Sequence, residues 1–176
     1  MGRLTEHVFG YGSLAGDLGP RATATRLDGY RRVWGVAADN RRAIPGYKQY
    51  RLRADGSVPA VFVAFLDVVV DPRSAVEGML AAVDEASLAG LDLRERNYDR
   101  VDVTAAIDNP PPGRVWTYVG SSAGRARLAA GVASGRLAVA RDYLDAVHDR
   151  PRASSILDGV PVLDLERVDL PAEPPR

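Results

Sequence analysis

The hydrophobic positions of this chain change period several times. Val8-Phe9-Gly10-Tyr11-Gly12-Ser13-Leu14 begins as an apolar, aromatic run and ends in small residues, so it predicts a strand that stops in a sharp turn. Residues 24–38 predict a strand pair broken at Asp28-Gly29. Tyr50-Arg51-Leu52-Arg53 and the run from Val58 flank Ala54-Asp55-Gly56-Ser57, a hairpin signal. Residues 61–66 are apolar on both faces, as in a central strand. Asp71-Pro72 then predicts a helix start, and Val76, Met79, Leu80 and Val83 give a stripe with helical spacing. Asp84 is the expected cap of a second helix from Glu85 to about Arg94, with Leu88 and Leu91 on its buried face. Residues 98–107 alternate as a strand, residues 109–113 form a proline-rich turn, and residues 115–119 form another strand. Helices are expected over 125–134, closed by Gly135, and over 137–148, stopped by Pro151. Tyr143 on the second faces the core or a cleft. A last strand falls within 160–168, and residues 171–176 read as a disordered tail. Strands mixed with helices, without βαβ alternation, predict one α+β domain over residues 1–170.

Composition narrows the chemistry. The formal charge of the 176 residues is zero, which gives no electrostatic footprint for nucleic acid. Lys48 is the only lysine, so an amine-based mechanism has one candidate. No cysteine is present, which excludes disulfides, thiolate catalysis and cysteine-bound metal. His7 and His148 lack metal-ligand spacing. The N-terminus has neither signal-peptide nor myristoylation pattern, and the longest apolar run, 58–66, is too short for a bilayer. A soluble, cytoplasmic protein without membrane partners is expected, in an oligomeric state left open.

Two stretches carry candidate chemistry. Gly10, Gly12 and Ala15 fit the spacing of a dinucleotide fingerprint, but Gly16-Asp17-Leu18-Gly19-Pro20 breaks the helix that motif needs, and the ribose-binding acid is missing. Ser13 has Tyr11 and Ala15 where a nucleophile elbow has glycines. No lysine follows for a phosphate loop. What remains is a backbone nest for a small anion such as a carboxylate, beside the plainer reading of a tight turn. Glu95 is the second feature. It lies seven residues after Leu88 and four after Leu91, in register with their apolar face. Burial and the negative end of the helix would both raise its pKa, whereas Arg94 and Arg96 would lower it if they faced it. Glu95 is therefore either an acid–base group or a helix-end carboxylate paired with those arginines. Asp39-Asn40-Arg41-Arg42 is a solvated loop or the rim of a substrate site.

Phe9-Gly10-Tyr11-Gly12-Ser13-Leu14 resembles the YGS(L/N) motif that opens gamma-glutamylcyclotransferase-like proteins. Leu91-Asp92-Leu93-Arg94-Glu95-Arg96-Asn97-Tyr98 resembles their LDxRE motif with its following Tyr. Weaker likenesses are Leu27-Asp28-Gly29-Tyr30-Arg31-Arg32, the strand at 115–119 and Asp142-Tyr143-Leu144. Asn97 departs from the Gly-Gly of many members, and 121–135 has no evident counterpart. The resemblance implies a small mixed, barrel-like sheet flanked by helices. It also implies release of 5-oxoproline and an amine from a γ-glutamyl compound, without metal or other cofactor. Glu95 would be the general base. The amides of Gly12, Ser13 and Leu14 would hold the substrate carboxylate, and Tyr11 and Tyr98 would line the pocket. A binding protein without turnover, or an enzyme removing a γ-glutamyl cap from a biosynthetic intermediate, stands as an alternative.

Overall fold

A computed structural model describes residues 5–147 and 155–172. In chain order the elements are β1 (Glu6–Gly10), α1 (Ser13–Asp17), β2 (Thr23–Asp39), β3 (Lys48–Leu52), β4 (Phe62–Val83), α2 (Glu85–Arg94), β5 (Tyr98–Asp102) and β6 (Arg114–Gly120). They continue as α3 (Ser122–Ala133), β7 (Leu137–Ala140), α4 (Arg141–Ala146), β8 (Val162–Leu163) and β9 (Leu165–Asp169). The class is α+β with a mixed sheet, as expected. Among the described residues the strand pairing does not close into a ring. No helix among them is long and apolar enough to cross a membrane.

Contacts divide the chain into two compact units, and β2 and β4 each run from one into the other. The first unit, Met1–Val33 with Leu66–Ser121, is built around β1. This strand pairs antiparallel with the end of β4, from Glu6↔Val83 to Gly10↔Met79, and parallel with β6, from Glu6↔Arg114 to Val8↔Trp116. β5 continues antiparallel beyond β6, from Tyr98↔Gly120 to Asp102↔Trp116. Flanked on both sides, β1 is buried at every residue from His7 to Gly10. Val8, Leu14, Leu88 and Tyr118 form an apolar cluster, with Leu18, Val83, Leu91, Tyr98 and Trp116 packed against it. Strand and both helices of this unit are thus fastened by one set of side chains.

The second unit, Trp34–Phe65 with Ser122–Arg176, pairs β3 with β9 antiparallel and the first residues of β4 with β7 in parallel. Tyr143 packs edge-on to Trp34 and Phe65, with ring centroids 5.9 and 5.0 Å away, so it serves the core. Asn40 is buried and fastens both backbone groups of Tyr50, which makes residues 39–42 more than a solvated loop. Pro171 accepts the Gly46 N–H, while 173–176 lie outside the described residues.

Several expectations fail for identifiable reasons. The helix expected from Asp71 is absent, because β4 continues to Val83. Burial there has period two: Ser74, Val76 and Gly78 face inward while Ala75 and Glu77 are exposed. Pairing with β1 decides this stretch, since the apolar set Val76, Leu80 and Val83 fits a helix nearly as well. The strand pair over 24–38 is a single strand, and Gly29 at φ +78° takes a left-handed kink within it. The 54–57 turn forms, with Gly56 N–H on Leu52 O, yet β3 pairs with β9, not with the following strand. Pro59 supplies no N–H for a ladder there. The strand from Tyr98 stops at Asp102, whose Oδ1 accepts both the N–H and the hydroxyl of Thr104, the first residue of a 3-10 turn at Thr104–Ala106. The helix expected over 137–148 begins only at Arg141. Leu137 to Ala140 are all buried as β7, and His148 and Pro151 lie outside the described residues. Finally, Ser13 opens a helix where breaker chemistry predicted a loop. At five residues, α1 is far shorter than the crossover a dinucleotide fold requires.

Candidate active site

The glycine-rich turn is shaped by close approach. A Cβ on Gly10 would lie 2.7 Å from the Ala15 nitrogen, so β1 and the start of α1 fit together only without a side chain there. Gly12 is the N-cap of α1, and its carbonyl accepts the Ala15 N–H at 3.0 Å. The first N–H groups of a helix have no acceptor within it. Tyr11 and Leu14 turn inward, whereas Gly12 and Ser13 are half-buried. The Tyr11 hydroxyl donates to the Tyr118 carbonyl at 2.6 Å, and Arg32 donates to the Tyr11 carbonyl at 3.1 Å.

The second motif is fixed by capping and burial. Asp84 caps α2 by accepting the Ser87 N–H at 2.7 Å, and Leu88 anchors the helix in the apolar cluster. Glu95 ends the helix as its C-cap and donates its N–H to Leu91 O at 2.8 Å. Its side chain is only 16% exposed, in keeping with the apolar register. Arg94 divides its guanidinium, with Nη2 2.6 Å from Asp17 of α1 and Nε 3.2 Å from Glu95. The burial and the arginine pairing set out as alternatives for Glu95 are therefore both present. Through Arg94 and the shared cluster of Leu14, Leu88 and Leu91, the two motifs are held in one unit. Tyr98 follows, and its hydroxyl donates to Leu66 O at 2.6 Å. Tyr11 and Tyr98 thus each commit their O–H to a backbone carbonyl.

Sequence reasoning missed the group that links these parts. Tyr118 of β6 accepts the Tyr11 hydroxyl on its carbonyl and donates its own hydroxyl to Asp92 Oδ1 at 2.9 Å. Asp92 Oδ2 accepts from Arg100 at 2.9 Å. Burial pushes the Tyr118 phenol above its ordinary value, and the hydrogen bond and charge of Asp92 and the charge of Glu95 push it further. Asp92 was within reach as a member of the LDxRE stretch and Tyr118 as the tyrosine of the 115–119 strand likened to the family; what neither stretch signalled was their pairing. A cleft of about 390 Å³ is lined by Asp92, Tyr98, Asp99, Arg100 and Tyr118. Of the residues assigned from sequence, only Tyr98 lines it. No group of three or more acidic or histidine side chains suited to a metal occurs among the described residues.

The family model for gamma-glutamyl cyclotransferase, AIG2-like, matches residues 8–137, which span both motifs. The chain belongs to that family. Solved structures similar to this cyclotransferase-family chain include the solution structure of an Arabidopsis thaliana protein. It is 22% identical, with 70% of this chain and 73% of that one covered and a TM-score of 0.43. A yeast gamma-glutamyl cyclotransferase specific to glutathione is 12% identical, with 90% and 96% covered and a TM-score of 0.49. An uncharacterised Homo sapiens protein is 13% identical, with 68% and 69% covered and a TM-score of 0.43. No curated protein matches the sequence.

Proposed function

We propose that this chain is a cofactor-independent gamma-glutamyl cyclotransferase. Its substrate would be a small γ-glutamyl compound, with Glu95 as the proton shuttle. The observation that carries the reading is a carboxylate largely buried at the end of α2, in the LDxRE motif and joined through Arg94 to the helix that follows the YGSL turn. The substrate α-carboxylate would accept from the amides of Gly12, Ser13 and Leu14, and the rings of Tyr11 and Tyr98 would flank the glutamyl chain. Glu95 takes a proton from the α-ammonium, and the freed amine attacks the γ-carbonyl. A C–N bond closes the five-membered ring. The bond from the γ-carbon to the leaving nitrogen breaks as Glu95 returns the proton to that nitrogen, and the extra proton left on the ring nitrogen then passes through Glu95 to the released amine, which departs as an ammonium. The products are 5-oxoproline and an amine.

The tether between amine and carbonyl supplies much of the orientation that a bimolecular aminolysis would need from the enzyme. One carboxylate can serve as base and then as acid. Incubation with a panel of γ-glutamyl compounds (glutathione, γ-glutamyl amino acids, γ-glutamyl amines), scored for 5-oxoproline by mass spectrometry, tests the proposal. Release of 5-oxoproline from at least one member is expected. Binding without release from any member would favour a binding protein on the same fold.

A further inference from the structure

One buried ionisable group has no part in this chemistry. Asp67 lies in β4 with 0% of its surface exposed, inside the unbroken buried run 62–68. A carboxylate in such a place is costly unless its oxygens are bonded. Asp67 Oδ1 accepts the Val68 N–H at 2.7 Å and the Gly120 N–H at 2.6 Å. Both are at the short end for N–H···O bonds. Gly120 is the last residue of β6 and the register partner of Tyr98. Leu66, the neighbour of Asp67, accepts the Tyr98 hydroxyl at 2.6 Å. Two consecutive residues of β4 therefore grip both members of the pair that opens the β5–β6 ladder.

The same ladder end suspends the turn that bears Glu95. Ser121 donates its N–H and its hydroxyl to Asn97 O, at 2.9 and 3.0 Å. Tyr98 N–H returns to Glu95 O at 2.9 Å. The turn 95–98 hangs between α2 on one side and Gly120-Ser121 on the other, and Asp67 fixes the latter.

We infer that Asp67 is a positioning residue for Glu95. Its carboxylate holds the end of β6, and through Asn97 and Tyr98 it sets where the Glu95 carboxylate sits. The inference rests on the reading of Glu95 as the proton shuttle. Removing the acceptor leaves the buried Gly120 N–H without its partner, so the end of β6 loosens and the turn moves with it.

Asp67→Asn keeps the shape and one acceptor oxygen; Asp67→Ala removes both oxygens. Amide exchange by NMR at Gly120 and at 96–98 reads the clamp without reference to activity. In Asp67→Ala, exchange at Gly120 and at 96–98 should rise by about 10-fold or more, against a smaller rise in Asp67→Asn, the order expected when a buried amide loses its acceptor. On an active substrate, kcat should fall by roughly 10² in Asp67→Ala with KM within about threefold, the pattern of a misplaced reacting group rather than lost binding. Partial recovery of kcat in Asp67→Asn is expected. Faster exchange with wild-type kcat overturns the positioning role, and so does wild-type exchange at 96–98 in both variants. If Asp67→Ala does not fold, Asp67→Asn carries the comparison alone. Failure of the shuttle reading is distinguishable: Glu95→Gln would then retain turnover, while the exchange pattern of the Asp67 variants would still report on the clamp.

Discussion

Gly10→Ala is a one-carbon change that bears on the geometry of the YGSL turn. The added Cβ would stand 2.7 Å from Ala15 N and 3.0 Å from both Ala15 Cα and Leu14 C. All three neighbours are backbone, so no side chain can swing aside. Restoring ordinary contact at 3.4 Å means moving the start of α1 by about 0.7 Å from β1. Overpacking of this kind costs about 1–3 kcal/mol. For a chain of this size that corresponds to a fall in Tm of roughly 2–12 °C. The displaced atoms directly follow the Leu14 amide, one of the three proposed to hold the substrate carboxylate, so turnover should drop by about 10- to 100-fold, the order that a misplacement below 1 Å produces. Gly16→Ala is the matched control, because a Cβ there meets nothing within 4 Å and the residue lies in α1. It should hold or raise Tm, by up to about 1 kcal/mol of added stability. Thermal unfolding and 5-oxoproline release on both variants make the comparison. A Gly10→Ala protein with wild-type Tm and turnover would refute the close packing of strand and turn.

Further outcomes follow from the same geometry. Ser13→Ala keeps its N–H and should lose less activity than Gly12→Val, which sets a β-branched side chain where the substrate approaches; total loss in a folded Ser13→Ala would implicate the hydroxyl instead. Desolvation raises the phenols of Tyr50 and Tyr118 above their ordinary value of 10.0, so each binds its proton more tightly in the folded state. Stability should fall as pH rises above about 10, and Tyr118→Phe should flatten part of that fall in a series of Tm against pH. Asp39 is held below its ordinary pKa by the hydrogen bond from Arg41, so its contribution is present at neutral pH and lost as the carboxylate protonates on acidification. Asp39→Asn should therefore lower Tm at pH 7 and make progressively less difference toward pH 3.

The parts legible in the sequence are those governed by local chemistry. Asp84, Leu88 and Leu91 foretold α2 because a cap and an apolar face lie within ten residues of one another. The strand at Val8-Phe9 and the turn after it were readable from apolar run and glycine alone. Residues 71–83 and 137–140 were misread because their patterns admit two periods, and the strand partners that decide between them are far away: β1 for Met79 and Leu80, and Phe62-Val63 for Leu137-Ala138. Within the site, Glu95 stood out because a carboxylate in an apolar register is unusual. Asp67 and Tyr118 did not. One is an acid in a strand and the other a tyrosine in a strand, and their partners, Gly120 and Asp92, lie 53 and 26 residues away. Such groups become visible only when the sheet is assembled.

The most direct test of the central claim is a paired measurement on Glu95→Gln with one active substrate: calorimetric binding and 5-oxoproline release, each against wild type. Glutamine keeps the shape and hydrogen-bonding capacity but cannot accept the ammonium proton. Binding should persist, because the substitution leaves untouched the turn amides proposed to hold the α-carboxylate, while turnover should fall by a factor on the order of 10² to 10⁴. Turnover within a few-fold of wild type would contradict the assignment of Glu95 as the proton shuttle.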